Sequence, residues 1–260
     1  MVGATTEELR AQFIIDDLFV DGAFRGVYLG DDRMVVAGIV PLDDDIEPSG
    51  LDPLGVTNLL EGRELGVINI GQEGRVNVDG QSYVLGHRDG LYVGRGSVVT
   101  FGGRGAKFYA VSAIAHATHP TVLIPHDSVE PVVIADERGA GARSLYRYVW
   151  GGGHPSCQLQ FGLTILNPNS VWNTLPPHLH SRRTEVYLYT DLEPQDTVMH
   201  FMGEPQQTRH LVVRDGEAVI APPWSIHFGA GTAPYSFVWA MAGENTNYGD
   251  MQPVSIGELR

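Results

Sequence analysis

Two imidazoles two positions apart, His178 and His180, are followed by Glu185 in the run PPHLHSRRTEVYLY that spans 176–189. In an extended chain residues i and i+2 face the same side, so both histidines point to one place. A turn over Ser181 to Arg183 returns the next strand and brings the Glu185 carboxylate beside them. A third imidazole, His227, stands five residues after Pro222 on a later strand. Three nitrogens and one oxygen suit a divalent cation of intermediate softness: zinc, manganese, iron or nickel. Ten histidines in 260 residues produce some His-x-His pairs by chance. The glutamate spacing, the strand context and the later Pro-x4-His set this pair apart.

Arginines gather at the same place. Arg182 and Arg183 lie in the turn between the ligands, and Arg209 and His210 open another strand of the same half. A planar guanidinium matches a carboxylate with two parallel hydrogen bonds. In a chain with 17 Lys+Arg against 31 Asp+Glu, a net charge of −14, this concentration points to a small anionic substrate. At least one of Arg182 and Arg183 is expected to pair with a surface carboxylate instead. The acidic balance excludes nucleic acid and anionic membrane surfaces as partners. Lys107 is the only lysine, so Schiff-base chemistry would rest on that one side chain. The single cysteine, Cys157, permits no disulfide within the chain and fits a reducing cytoplasm. The opening MVGATTEELRAQFIIDDLF is acidic where a secretory signal is basic, and no run approaches the ~18 apolar residues of a membrane span. The expectation is a soluble cytoplasmic protein.

The elements that position these residues are short strands. Gly 32 and Pro 16 make 48 of 260 residues, a turn-rich composition that favours many strands over long helices. One helical pattern opens the chain: Thr5 and Thr6 cap, Glu7 and Glu8 follow, and Leu9, Phe13 and Ile14 are spaced for one apolar face. Strands are expected at 67–70, 76–78, 83–85, 91–93 and 97–101, and again at 163–166, 185–189, 198–201, 211–213, 218–220 and 235–239. The turn Asp79-Gly80 with Val99-Thr100-Phe101 echoes Asp215-Gly216 with Ile226-His227-Phe228. The echo predicts a duplicated β-sandwich: a domain over 1–126, a crossover over 127–155 rich in Gly, Arg and Asp, and a metal-binding domain over 156–260. Thr100 then matches His227, which leaves the first domain without metal. His116, His119 and His126 read as surface residues of a loop-rich segment.

The pattern His-x-His-x4-Glu with a later Pro-x4-His resembles a cupin metal site. A longer series of segments is similar to the 5-keto-4-deoxyuronate isomerase family, also called 4-deoxy-L-threo-5-hexosulose-uronate ketol-isomerases. In the second half these are 162–164, 170–174, 176–189, 200–205, Thr208-Arg209-His210, 218–220, 224–227 and Met241-Ala242-Gly243-Glu244-Asn245. In the first half they are Asp32-Arg33, Arg63-Glu64-Leu65, 69–71, 78–80, 91–96 and Phe108-Tyr109. The similarity runs over nearly the whole chain, with Leu175 and Ile114 where relatives often have Met and Pro.

This resemblance implies an all-β duplicated cupin, two jelly-roll domains with a short N-terminal helix. It implies one zinc ion per subunit on His178, His180, Glu185 and His227, a homo-oligomer that is commonly a hexamer, and a place in pectin or uronate catabolism. The implied reaction converts 5-dehydro-4-deoxy-D-glucuronate to 3-deoxy-D-glycero-2,5-hexodiulosonate, moving a carbonyl from C1 to C2 through a metal-stabilised enediolate. Arg182, Arg183 and Arg209 are candidates to bind the substrate. The candidate bases are His210, which belongs to a family motif, Tyr187, which shares strand parity with Glu185, and Glu244. A hydride shift would need none of them. Competing readings are the related 5-deoxyglucuronate isomerase of inositol catabolism, a metal cupin dioxygenase, and a non-catalytic sugar-acid sensor or storage cupin.

Overall fold

A computed structural model describes residues 3–49, 51–244 and 248–260. Asn245, the last residue of the family-like segment 241–245, lies outside them. The one α-helix among the described residues, α1 (Thr6–Phe13), begins where the capping signal predicts. The Thr5 hydroxyl accepts from the Glu8 N–H, and the Glu8 carboxylate accepts from the Thr5 N–H. Leu9 and Phe13 are buried, and β1 (Ile14–Ile15) follows directly. Among the described residues no helix is long and apolar enough to cross a membrane.

The chain forms two compact units. One comprises residues 17–130 and 148–161. It contains β2 (Ala23–Tyr28), β3 (Val35–Val40), β4 (Arg63–Asn69), β5 (Gly74–Val78), β6 (Gln81–Leu85), β7 (Gly90–Val93), β8 (Val99–Gly102), β9 (Phe108–Ile114) and β10 (Val122–Ile124). A sheet of order β10-β7-β4-β9-β3-β2 and a smaller one of order β6-β5-β8 close on a core that includes Ile39, Leu65, Val76 and Phe101.

The other unit comprises residues 1–16, 131–147 and 162–260. To β1 it adds β11 (Val132–Ile134), β12 (Arg143–Val149), β13 (Gln160–Leu166), β14 (Trp172–Leu179), β15 (Arg183–Thr190) and β16 (Val198–Glu204). It continues with β17 (Gln207–Val213), β18 (Ala218–Ala221), β19 (Ile226–Gly231), β20 (Ser236–Gly243) and β21 (Gln252–Pro253). Its sheets have the orders β1-β18-β15-β20-β13-β12-β11 and β17-β16-β19-β14-β21. Tyr187, Tyr189, Phe237 and Trp239 of the first layer pack with Val198, Met202 and Leu211 of the second.

These units are interleaved in sequence, unlike the contiguous division 1–126, 127–155 and 156–260. Ile14 and Ile15 pair with Val219 and Ala218, so the N-terminal residues complete the unit expected to bind metal. Arg10 secures them, donating to the Val212 carbonyl at 2.6 Å and to Glu217 at 2.9 Å. Residues 148–161 belong instead with the first unit, where Glu64 holds them. That buried carboxylate accepts the N–H groups of Cys157, Gln158 and Leu159 at 2.8, 2.7 and 2.8 Å and the Tyr92 hydroxyl at 2.6 Å. Glu64→Ala would orphan three backbone donors at once, and urea unfolding should show a loss of about 3 kcal/mol or more. A loss below about 1 kcal/mol would mean that water replaces the carboxylate.

The duplication is present in the strand plan, with a different register from the sequence echo. β4 to β9 pair among themselves as β15 to β20 do. The Asp79-Gly80 turn between β5 and β6 therefore corresponds to Pro205-Gln206, between β16 and β17, and not to Asp215-Gly216. Val76, two residues before the end of β5, pairs with Phe101, whereas Met202, two before the end of β16, pairs with His227. Phe101, not Thr100, is the counterpart of His227. Thr100 lies on the other face, where it accepts from Asn77. Ile46, bridged to Phe101, corresponds to His178, which pairs with His227. Pro48 follows as the counterpart of His180, and Leu65, first in the β4–β7 ladder, of Glu185, first in the β15–β18 ladder. The four ligand positions thus read Ile46, Pro48, Leu65 and Phe101 in the first unit, all without a donor atom.

Candidate metal centre

Both layers of the second unit contribute to the cluster. β14 and β19 are antiparallel neighbours in which His178 stands opposite His227, after an irregularity in register between Asn173 and His178. His180 lies just past the last residue of β14. The chain then turns through Ser181 and Arg182 into β15, whose eight residues are all buried. Alternation on β15 sends Arg183, Glu185 and Tyr187 to one side.

The donor atoms converge tightly. The Nε2 atoms of His178 and His180 are 3.1 Å apart, and those of His178 and His227 are 3.2 Å apart. Glu185 Oε2 lies 3.3 Å from His180 Nε2 and 3.0 Å from His227 Nε2. All four ligand atoms fall within 4.8 Å of one another. Burial foremost, then the neighbouring His227, pushes the His178 and His180 imidazoles well below the ordinary histidine value. Their lone pairs are therefore free at neutral pH, with a carboxylate beside them to offset cationic charge. Three imidazole nitrogens and one carboxylate oxygen, dehydrated and converging on one point, fit a divalent transition metal.

The cluster lies on the wall of a cavity of about 270 Å³. Alternate residues of four strands line it: Arg143 and Leu145 of β12; Thr174 and His178 of β14; Arg183, Glu185 and Tyr187 of β15; and Phe237, Trp239 and Met241 of β20. Tyr187 shares a 3.0 Å hydrogen bond with Thr174 Oγ1, and its ring centroid is 5.5 Å from that of His227. Burial and then the Glu185 charge raise its pKa well above the ordinary phenol, so Tyr187 keeps its proton. Behind it the Tyr189 hydroxyl and His200 Nδ1 are 2.8 Å apart in full burial.

Of the other residues singled out in the sequence, only Arg183 joins this cavity. It is 1 % exposed and donates to the Tyr248 carbonyl at 3.1 Å. Arg182 is the arginine that pairs with surface carboxylates, bonding Asp250 at 2.5 Å and lying 3.5 Å from Glu244. Glu244 is thereby engaged at the surface rather than in the cavity. Arg209 and His210 sit on β17 at the edge of the second layer and do not line the cavity. His210 faces outward beside Phe201, because alternation on β17 turns Leu211 and Val213 to the core. Arg209 donates to its neighbour Thr208. Arg143 is the functional candidate that sequence reasoning missed: it stands in the crossover segment, with no motif to mark it.

A family model described as KduI/IolB family matches residues 54–253. The chain is 46% identical over 261 residues to a 4-deoxy-L-threo-5-hexosulose-uronate ketol-isomerase of Halalkalibacterium halodurans, covering 98% of this chain and 95% of that one. It is 45% identical over 260 residues to the protein of the same name from Bacillus subtilis, covering 98% and 94%. Among solved structures, an IolB-like protein from Salmonella typhimurium superposes with a TM-score of 0.75 at 13% identity, covering 93% of this chain and 96% of that one. Oxalate decarboxylase from Lactobacillus farciminis does so with a TM-score of 0.63 at 10% identity, covering 95% and 89%. At these identities the two structures establish the fold, an all-β bicupin, and nothing finer.

Proposed function

The chain belongs to the KduI/IolB family and is an isomerase, and from that premise we propose that it interconverts 5-dehydro-4-deoxy-D-glucuronate and 3-deoxy-D-glycero-2,5-hexodiulosonate. The observation that carries this reading is the four-donor cluster on the wall of a cavity that also holds two arginines. We assign a zinc ion to His178, His180, Glu185 and His227. When bound, such an ion supplies Lewis-acid polarisation of a carbonyl oxygen and the hydroxyl beside it.

The remaining work falls to the chain. Turning an aldehyde at C1 into a ketone at C2 moves the C2 hydrogen to C1 and the hydroxyl proton of O2 to O1. Tyr187, held protonated beside the cluster, donates a hydrogen bond to a substrate oxygen and keeps it oriented. Thr174 fixes the phenol in that position. Leu145, Phe237, Trp239 and Met241 surround the reacting carbons with apolar surface and exclude water. Among the described lining residues Glu185 is the only carboxylate, and it is committed to the ligand set. With His210 and Glu244 outside the cavity and Tyr187 protonated, the enediolate route expected from the resemblance gives way in this proposal to its alternative, a hydride shift, in which the C2 hydrogen passes directly to C1 with its electron pair. Turnover in D2O should therefore give product without solvent deuterium at C1, read by NMR at early times. One deuteron per molecule there would require a proton-carrying base.

The direct test is NMR of the unsaturated uronate released by a pectate lyase, incubated with zinc-loaded protein. Loss of the aldehyde with appearance of the C2 ketone supports the proposal. Turnover of 5-deoxyglucuronate but not of this substrate would move the chain to the inositol branch, and oxygen consumption would make it an oxygenase.

A further inference from the structure

Beside the metal cavity lies a second one of about 430 Å³, and the two share Ile134, Arg143, Leu175 and Pro176 as a common wall. Among the described residues Arg143 is the only cationic side chain that lines both. Its guanidinium is anchored from behind, with Nη1 donating to the Gly141 carbonyl at 2.6 Å. Gly141 is itself fixed by Asp136, whose carboxylate accepts the Gly141 N–H at 2.7 Å and the Arg138 N–H at 3.0 Å. The bond to Gly141 is the only hydrogen bond that the Arg143 guanidinium makes among the described residues, and no described carboxylate lies within ion-pair distance of it. Arg182 and Arg104, in contrast, are each paired with an aspartate. The Asp136 charge acts on it only from beyond contact, through Gly141, and a half-buried guanidinium held in place without a contact ion pair is prepared for an anion from outside.

We propose that Arg143 receives the carboxylate of the substrate, with the sugar acid extending from the metal cluster towards the second cavity. This assignment rests on the isomerase reading above and deepens it. It places the carboxylate at the end of the molecule remote from the reacting carbons, so the contact serves binding and positioning. Arg183, on the same strand face as Glu185, stands beside the cluster instead.

The test uses Arg143→Gln and Arg143→Lys, each checked for zinc content and thermal melting. In Arg143→Gln the KM for the uronate should rise roughly 10- to 100-fold, the range expected for a lost charge-assisted pair, with kcat changed far less. Arg143→Lys keeps the charge without the planar fork and should fall between the two, and it carries the test if Arg143→Gln melts early. A readout without turnover comes from titrating metal-free protein with D-glucuronate and D-glucose. Wild type should prefer the acid, and Arg143→Gln should lose that preference. A folded variant with unchanged KM and unchanged preference overturns the assignment, as does a wild type that does not distinguish the two sugars. If wild type prefers glucuronate through Arg143 yet fails to isomerise the uronate, the carboxylate site stands and the proposed reaction falls.

Discussion

Glu185→Ala protein should fold, fail to retain a divalent metal and turn over the proposed uronate at least roughly a thousandfold more slowly. Glu185 supplies the only oxygen of the ligand set, at 3.3 and 3.0 Å from two of the imidazole nitrogens, and it is buried. Binding to four-ligand zinc sites is worth on the order of 10–16 kcal/mol, so losing one ligand lowers affinity by several powers of ten. Folding should survive, because removing a carboxylate from a dehydrated cluster also removes a buried charge. In urea, metal-free wild type and Glu185→Ala should unfold at similar concentrations. Added zinc should then protect only wild type, by about 2.7 kcal/mol at a hundred times its Kd. A variant with one metal per chain and normal turnover would remove Glu185 from the site.

The second large effect is on acid stability. Burial, then the nearby His227, depresses His178 and His180 far below their ordinary value, and the same causes bring His200 to about 3. In the unfolded chain these three imidazoles bind protons near pH 6.5. Below that pH the unfolded state holds more protons than the folded one, so stability falls as pH falls. Each histidine contributes a slope approaching 1.4 kcal/mol per pH unit, and for His200 the loss levels off near pH 3. From pH 7 to pH 5 the three together cost the metal-free protein about 6 kcal/mol, a large part of the stability of an ordinary domain. Zinc should shift the onset to lower pH, since it binds the neutral imidazoles. Equal urea midpoints at pH 7 and 5 would mean that these rings take up protons without unfolding.

Local order decided what the sequence disclosed. His178, His180 and Glu185 sit within eight residues, and strand alternation alone aims them together, so the cluster was legible. The capped helix at Thr5 and the short runs that became β4 to β8 and β15 to β20 were legible for the same reason. Position across distant strands was not. Arg143 enters the cavity only because β12 joins the sheet beside β13, a pairing with no local signature. Arg209 and His210 misled because β17 is an edge strand with polar residues on both faces, and alternation assigns His210 to the outer one. Thr100 was mismatched because two Asp-Gly turns look alike although one closes the β5–β6 hairpin and the other carries the chain from β17 in one sheet to β18 in the other. The apolar set Ile46, Pro48, Leu65 and Phe101 emerges only once the ladders are aligned.

The pairing of β1 with β18 also orders events in time. Arg10 and its partner Glu217 are 207 positions apart, so the first strand must wait for most of the chain to be made. At ~5–20 residues per second that delay is roughly 10–40 s on the ribosome. During it Ile14 and Ile15 have no sheet to join, while residues 17–130 can already collapse. The unit that holds the His/Glu cluster is thus completed last, by the segment made first. A bulky fusion placed ahead of Thr5 would burden the half of the protein that holds the four-donor cluster.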